Sequence, residues 1–181
     1  MGYAIEMFFD GESEARIRSL WDAVPKPGAS SMARGEARPH ISLAVADSVD
    51  VPATHLLLDD FAHTVTAFPI TLDSLGFFLS KERCAFLAPK VTPELLVLHM
   101  QFFDRFSSVS SGIWQIYSPS TWVPHCTVAM GILPQQLAPA FEACESFGLP
   151  FACTVVEIGL VEFRPVKQLY SVPFARRTME N

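Results

Sequence analysis

Two kinds of hydrophobic spacing follow one another along this chain and predict an ordered series of strands and helices. Apolar runs of the length and composition of strands lie at 3–9, 39–46, 68–80, 84–89, 123–132, 151–163 and 167–175. Apolar residues at helical spacing lie at 11–24, 52–65, 92–108 and 134–148. Periodicity of this kind is the main sequence signal for secondary structure. The segment 26–39 is rich in Gly, Ser, Ala and Arg and predicts a mobile loop.

The second half of the chain repeats the element order of the first. Each half runs from a strand with a His-x-Ser/Thr motif through a helix to a long strand, a turn and a return strand. The long strands align Phe68 with Phe151 and Gly76 with Gly159. This agreement predicts an internal duplication with a pseudo-two-fold axis, against the alternative of chance similarity between two ordinary hairpins. We expect a single bilobal domain of two intertwined repeats over residues 1–181, with the first motif in about 39–89 and the second in about 123–175.

Charge limits the partners that the chain can bind. The formal net charge is −6 and the isoelectric point is near 5.3. Affinity for long nucleic acid comes largely from Lys and Arg side chains that neutralise phosphates. We therefore expect no binding of long duplexes, whereas a small nucleotide or an RNA end could still be held in a local pocket.

Cysteine usage and the apolar runs indicate the compartment. The cysteines form no Cys-x-x-Cys pair and lie among apolar neighbours, which is typical of buried free thiols in a reducing cytosol: Cys84, Cys126, Cys144 and Cys153. No basic segment followed by an apolar run marks a signal peptide, and no apolar run reaches the roughly 20 residues of a membrane span. We expect a cytoplasmic monomer without a membrane partner.

The two His-x-Ser/Thr motifs carry the candidate chemistry. Side chains at positions i and i+2 of a strand share a face, so His40 lies beside Ser42 and His125 beside Thr127. If the two halves face each other, one cleft receives two imidazoles and two hydroxyls. A neutral and a protonated imidazole can serve as base and acid near neutral pH, and hydroxyls can bind phosphate oxygens. The remaining histidines have no matching partners and are interpreted as surface or packing residues: His55, His63 and His99.

The second motif stands in the form Trp-x-Pro-His-x-Thr, with Trp122 and Pro124 before His125. Together with the duplicated His-x-Ser/Thr pattern, it resembles the 2H phosphoesterase superfamily, which includes 2′-5′ RNA ligase-like proteins and cyclic nucleotide phosphodiesterases. The resemblance covers most of the chain. It implies a bilobal α+β fold in which antiparallel sheets form a central cleft and helices pack outside. It also implies activity on 2′,3′-cyclic phosphates or related RNA ends.

The resemblance also implies roles for the motif residues. His40 and His125 would act as acid and base, and Ser42 and Thr127 would bind the phosphate, with no cofactor and no metal. Ser42 stands where Thr is commoner in the superfamily, but it keeps the hydroxyl. Three alternatives stay open: joining of RNA ends in a 2′-5′ linkage, a binding module without turnover, and a metallohydrolase. The last would need a third zinc ligand, for which no matching position stands out.

Two loops that lead into the motifs supply further candidates. Arg34 and Arg38 precede the first motif and could meet phosphate, whereas Tyr117 and Trp122 precede the second and could stack on a base. In the alternative interpretation, Arg34 is a solvated loop charge and Trp122 is a core anchor. The corresponding hairpin turns at Lys81 and Arg164 are interpreted as solvated.

Overall fold

The computed structural model of the protein describes residues 2–24 and 36–176. Within these ranges, eight strands and four α-helices alternate along the chain. The strands are β1 (Gly2–Phe9), β2 (His40–Val49), β3 (Phe68–Phe78), β4 (Cys84–Pro89), β5 (Ser110–Ile113), β6 (Cys126–Ala129), β7 (Phe151–Phe163) and β8 (Lys167–Pro173). The helices are α1 (Gly11–Ala23), α2 (Val51–Thr64), α3 (Pro93–Phe106) and α4 (Leu137–Phe147).

The strands form one antiparallel sheet in the order β5-β2-β1-β7-β3-β4-β6, with β8 paired to β7. The long strand β7 joins the two parts of this sheet. Its first residues pair with β3, and its later residues pair with β1 and β8. The predicted α+β fold built on antiparallel strands is therefore confirmed.

The pairing of β3 with β7 brings together two residues that the sequence alignment of the halves treats as equivalent. Ile70 lies opposite Cys153 in this antiparallel ladder, and Phe68 lies opposite Val155. When Phe68 is aligned with Phe151, the residue aligned with Ile70 is Cys153. A pair of equivalent residues that face each other in an antiparallel ladder is what a local two-fold axis between the halves would produce.

The first three helices begin at residues whose side chains accept a backbone N–H of the first turn. Asp10 accepts from Ser13, Asp50 from Ala53 and Thr92 from Leu95. Such caps satisfy amide groups that have no partner inside the helix. The buried face of each helix then joins the apolar core, with Trp21 from α1 and the fully buried Phe102 and Phe106 from α3 among the largest contributors. The four cysteines are buried and free of disulfide bonds.

Three segments differ from the sequence-based expectation. The segment 110–113, predicted as loop, forms edge strand β5, because its backbone pairs with β2 although its side chains show no strand pattern. The second motif strand begins only at Cys126, and α4 begins at Leu137 after a 3-10 turn over 134–136. Most of the predicted mobile loop at 26–39 lies outside the described residues.

The aligned glycines occupy places where aromatic rings pass close to the backbone. A Cβ atom at Gly76 would collide with the Phe86 ring. A Cβ atom at Gly159 would stand 2.7 Å from the Tyr170 carbonyl oxygen and 2.8 Å from the Phe8 ring. The backbone carbonyl is held in the ladder between β7 and β8, so it cannot move aside as a flexible side chain could. Gly159 is therefore required by close packing.

Replacing Gly159 with Ala should lower the free energy of unfolding by about 1–3 kcal/mol, the usual cost of forcing extra volume into a packed interior. Denaturant unfolding of both proteins measures the change. Gly11→Ala is the matched control, because no atom lies within 4 Å of a Cβ at that position. A Gly159→Ala protein as stable as the parent would contradict the packing described here.

Candidate functional site

Each motif presents a histidine and a hydroxyl. His40 and Ser42 lie in β2, whereas His125 directly precedes β6 and Thr127 lies within it. These four residues are partly exposed, and the intervening residues Ile41 and Cys126 are fully buried, as alternation along an extended chain requires. Although β2 and β6 are not neighbours in the sheet order, they are in contact.

Both imidazoles are oriented by the same backbone contact. Nδ1 of His40 lies 2.6 Å from the Arg38 carbonyl oxygen, and Nδ1 of His125 lies 2.7 Å from the Val123 carbonyl oxygen. A carbonyl can only accept, so in each neutral ring the proton is on Nδ1 and the lone pair is on Nε2. Within residues 2–24 and 36–176 no hydrogen bond reaches either Nε2. Each ring can therefore take up or release a proton at Nε2.

Each motif accepts a hydrogen bond from a tryptophan that lies before the other motif in the chain. The indole N–H of Trp122, just before the second motif, donates to the Ser42 carbonyl oxygen at 2.9 Å. The indole N–H of Trp21 in α1 donates to the Thr127 carbonyl oxygen at the same distance. Each hydroxyl-bearing residue is thus held through its backbone by the other half of the chain.

The structure corrects the interpretation of Trp122 as a surface for stacking a base. Its side chain is buried, and its ring is stacked on His99 with 3.9 Å between centroids and 3° between planes. Nε2 of His99 in turn lies 3.0 Å from the Leu43 carbonyl oxygen. Burial lowers the pKa of His99, which keeps this ring neutral and donating to the carbonyl. Trp122 is the core anchor of the alternative interpretation.

Tyr117 lies near the first motif, because the side chain of Ser42 acts on the pKa of its phenol. Burial raises the pKa of Tyr117 to about 12, and Glu6 and Cys84 act in the same direction. The phenol therefore stays protonated at neutral pH and remains a hydrogen-bond donor. The influence of Cys84 also places Tyr117 near the second motif, because the Cys84 thiol lies 3.6 Å from the Thr127 hydroxyl.

The second histidine lies among aromatic rings. The ring centroid of His125 is 4.9 Å from that of Phe78 and 5.3 Å from that of Phe86, both in edge-on geometry. Burial lowers the pKa of His125, and the nearby His40 acts in the same direction. The influence of one imidazole on the other indicates that the two rings lie near each other.

Glu6 is a residue of the site that the sequence analysis missed. It is only 7% exposed, and its carboxylate oxygen lies 3.3 Å from Nδ1 of His40. Burial raises the pKa of Glu6, against the influence of His40 and Arg38. The available signal was a single charged residue inside the apolar strand that opens the chain. A buried carboxyl in such a strand needs a partner, and only the fold identifies it.

The arginines proposed to meet phosphate are placed differently. Arg38 donates to Glu14 at 3.1 Å and to Glu157 at 2.9 Å, and its guanidinium lies 4.1 Å from the centre of the Phe8 ring. The two carboxylates engage Arg38, so the structure does not favour it as a phosphate ligand. Arg34 lies outside the described residues. Lys81 and Arg164 are exposed in their turns.

Comparison with known proteins gives the family. The family model of the 2′-5′ RNA ligase superfamily matches residues 9–166. The chain belongs to this superfamily. A search of curated proteins gives no match.

Solved structures agree with this membership of the 2′-5′ RNA ligase superfamily at the level of the fold. The Escherichia coli protein LigT, crystallised with 3′-AMP, is 16% identical with a TM-score of 0.59, over 95% of this chain and 97% of LigT. The protein TT0787 of Thermus thermophilus is 15% identical with a TM-score of 0.62, over 96% of this chain and 98% of that one. A crystal structure of a phosphoesterase is 18% identical with a TM-score of 0.58, over 96% of this chain and 97% of that one.

The described residues also bear on metal binding and on contact with membranes. Among the described residues, no group of three or more His, Cys, Asp or Glu side chains converges as metal ligands would. None of the helices in the described ranges combines the length and the apolar character of a membrane span.

Trp122→Phe should lower the free energy of unfolding by about 1–3 kcal/mol, because the buried Ser42 carbonyl loses its donor. Thermal or denaturant unfolding measures this. Trp114→Phe is the matched control, since its indole N–H donates to Asp47 at the exposed surface and its loss should cost under about 1 kcal/mol. Equal stability of the two variants would argue against Trp122 as a core anchor.

Proposed function

We propose that this protein is a metal-independent phosphodiesterase that hydrolyses a 2′,3′-cyclic phosphate, or a related small cyclic phosphodiester or RNA end. One observation carries the proposal. His40 and His125 are both fixed through Nδ1 to a backbone carbonyl, and each has a hydroxyl two residues further along the strand. This arrangement supplies two proton-transfer groups and two phosphate donors without further components.

In this mechanism one Nε2 removes a proton from water as the water oxygen attacks phosphorus. The other Nε2 gives its proton to the ribose oxygen that leaves. Ser42 and Thr127 donate hydrogen bonds to the non-bridging phosphate oxygens, whose charge is redistributed in the transition state. Tyr117 adds a third hydroxyl on the side of Ser42, and it remains a donor throughout the working pH range.

The substrate class follows from charge and from the relatives. The chain carries a net charge of −6, so its phosphate site is suited to a small ligand or a single RNA terminus rather than a long polyanion. LigT, which shares the fold, has been crystallised with 3′-AMP and with ATP. We propose a nucleotide or an RNA end as the substrate and a monomer as the working unit.

The second candidate function is the joining of RNA ends through a 2′-5′ linkage. The observation that favours it is the match to the 2′-5′ RNA ligase superfamily over residues 9–166. Ligation is the microscopic reverse of ring opening and would use the same two imidazoles. The two activities differ in the nucleophile, which is a ribose hydroxyl in ligation and water in hydrolysis.

Purified protein incubated with the four 2′,3′-cyclic nucleoside monophosphates in excess EDTA should form nucleoside monophosphates. His40→Ala and His125→Ala should each lower turnover by at least about 10²-fold, because each removes one proton-transfer group. His63→Ala is the matched control, since this exposed ring bonds to a carbonyl of its own helix and to no other group in the part of the chain that the structure describes. Chromatography resolves the products and shows which phosphate isomer forms.

Each contrary result in this experiment points to a different function. Turnover that survives both histidine substitutions would rule out the two-histidine mechanism. Turnover that EDTA abolishes and zinc restores would indicate a metallohydrolase. Binding of nucleotide without turnover, with affinity retained in both alanine variants, would indicate a binding module. Formation of a 2′-5′ linkage from RNA ends, without hydrolysis, would favour the ligase.

Tyr117→Phe should lower kcat/KM for the same substrates by roughly tenfold to a hundredfold, the effect of one lost hydrogen bond to a charged group. The ring and its packing remain, so the melting temperature should change little. Steady-state kinetics beside thermal unfolding separates the two effects. An unchanged kcat/KM would mean that the phenol does not contact the phosphate.

A further inference from the structure

The strands beside the two motifs are equivalent in the fold but carry different residues at one equivalent position. In the ladder of β1 with β2, Glu6 lies opposite Ser42, and the register shifts between Ile5 and Glu6. In the ladder of β4 with β6, Phe86 lies opposite Thr127. Here the register shifts between Ala85 and Phe86, at the corresponding point. The two ladders thus match down to the bulge, and Glu6 and Phe86 occupy corresponding positions, each opposite the hydroxyl-bearing residue of a motif.

This one difference places a carboxyl group beside one imidazole and a phenyl ring beside the other. The Glu6 oxygen lies 3.3 Å from Nδ1 of His40. Phe86 and Phe78, whose rings are themselves stacked at 4.3 Å, lie edge-on to His125. The backbone carbonyl contacts of the two histidines are alike. The neighbouring side chains therefore distinguish the two rings, whereas the main-chain contacts do not.

The two environments favour opposite protonation states. A carboxylate within 4–6 Å stabilises an imidazolium, whereas an apolar surrounding disfavours it. Burial accordingly lowers the pKa of His125. Environments that push two titratable groups apart in this way divide the acid and base roles between them.

We propose that Glu6 is a positioning residue whose carboxylate faces Nδ1 of His40 and stabilises its imidazolium form, so that His40 is the general acid and His125 is the general base. The division of roles rests on the proposed phosphodiester hydrolysis. The contact between Glu6 and His40 does not rest on it, because the ion pair can be observed without substrate.

The assignment gives a balanced step. His125 takes one proton from water at Nε2 while the water oxygen forms a bond to phosphorus. The bond from phosphorus to the leaving ribose oxygen breaks, and that oxygen receives the proton from Nε2 of His40. The product is a phosphate monoester beside a free hydroxyl. Transfer of a proton from His125 to solvent and from solvent to His40 restores the starting state.

The charged form of Glu6 in turn depends on a cation beside it, which the imidazolium form of His40 would supply. Burial raises the pKa of Glu6, so its charged form persists only beside a cation. Arg38 is the other cation that acts on Glu6, and it is already neutralised by Glu14 and Glu157. Besides Arg38, the titratable groups whose charge or hydrogen bonds act on this pair are Tyr117, His125 and Cys126.

Glu6→Gln tests the proposal because it keeps the shape of the side chain and removes the charge. The ring resonances of His40 and His125 are followed by NMR from about pH 5 to pH 8, the range in which imidazole titrates. In Glu6→Gln, the deprotonation of His40 should move to lower pH by about one unit, the effect of losing one nearby opposite charge. His125 should respond little.

The pH profile of kcat/KM provides the second readout. The acid must be protonated, so Glu6→Gln should move the basic limb to lower pH by about one unit while the acidic limb stays in place. Glu6→Asp retains the charge and should recover most of that shift. Phe86→Leu is the matched control at the equivalent position. It exposes His125 to water, so it should move the acidic limb to higher pH and leave the basic limb unchanged.

The outcomes separate the proposal from the proposed function. If His40 titrates alike in the parent and in Glu6→Gln, or if Glu6→Gln and Glu6→Asp shift it equally, Glu6 has only a structural role and the proposal is overturned. A basic limb that moves in Phe86→Leu instead would reverse the assignment. If no cyclic nucleotide is hydrolysed but Glu6→Gln still shifts His40, the pairing stands and the proposed substrate is wrong.

Discussion

The antiparallel pairing of β3 with β7 is the constraint on which the rest of this structure depends. It joins the two halves through backbone hydrogen bonds with Ile70 and Cys153 opposite each other. The remaining strands of each half are placed by these two long strands, because β4 pairs with β3 and β1 pairs with β7. The motif strands β2 and β6 follow from β1 and β4. The ladder of β3 with β7 therefore sets the positions of both histidines through two further ladders on each side.

Hydrogen bonds from the opposite half reinforce this arrangement. Trp21 and Trp122 each reach the carbonyl of the hydroxyl-bearing residue in the other motif. A buried hydrogen bond contributes modestly to the free energy of unfolding. Removing its donor costs more, because the acceptor is then left buried without a partner. The two indoles therefore make the geometry of one motif sensitive to packing around the other. Trp122, which the sequence suggested as a surface for stacking a base, is therefore part of the core.

Much of this arrangement could be predicted from the sequence, and the omissions have a common physical cause. Period-two alternation around His40 and His125 predicted which side chains share a face, and the two patterns of apolar spacing predicted most of the strands and helices. These features depend on residues near one another in the chain. The partners of Arg38, the ring stacked on Trp122 and the ladder of β5 depend on residues far apart in sequence. Glu6 belongs with them, since its significance comes from the register that sets it opposite Ser42.

The different residues opposite the two motifs also bear on why both halves lie in one chain. A homodimer of identical halves would place the same side chain at both positions, because each subunit carries the same sequence. Two such carboxylates, or two such phenyl rings, would treat the imidazoles alike and could not distinguish donor from acceptor. In one chain the residue opposite each motif is encoded separately, so the two positions can differ. Glu6 and Phe86 show this difference, and it makes the surroundings of His40 and His125 chemically unequal.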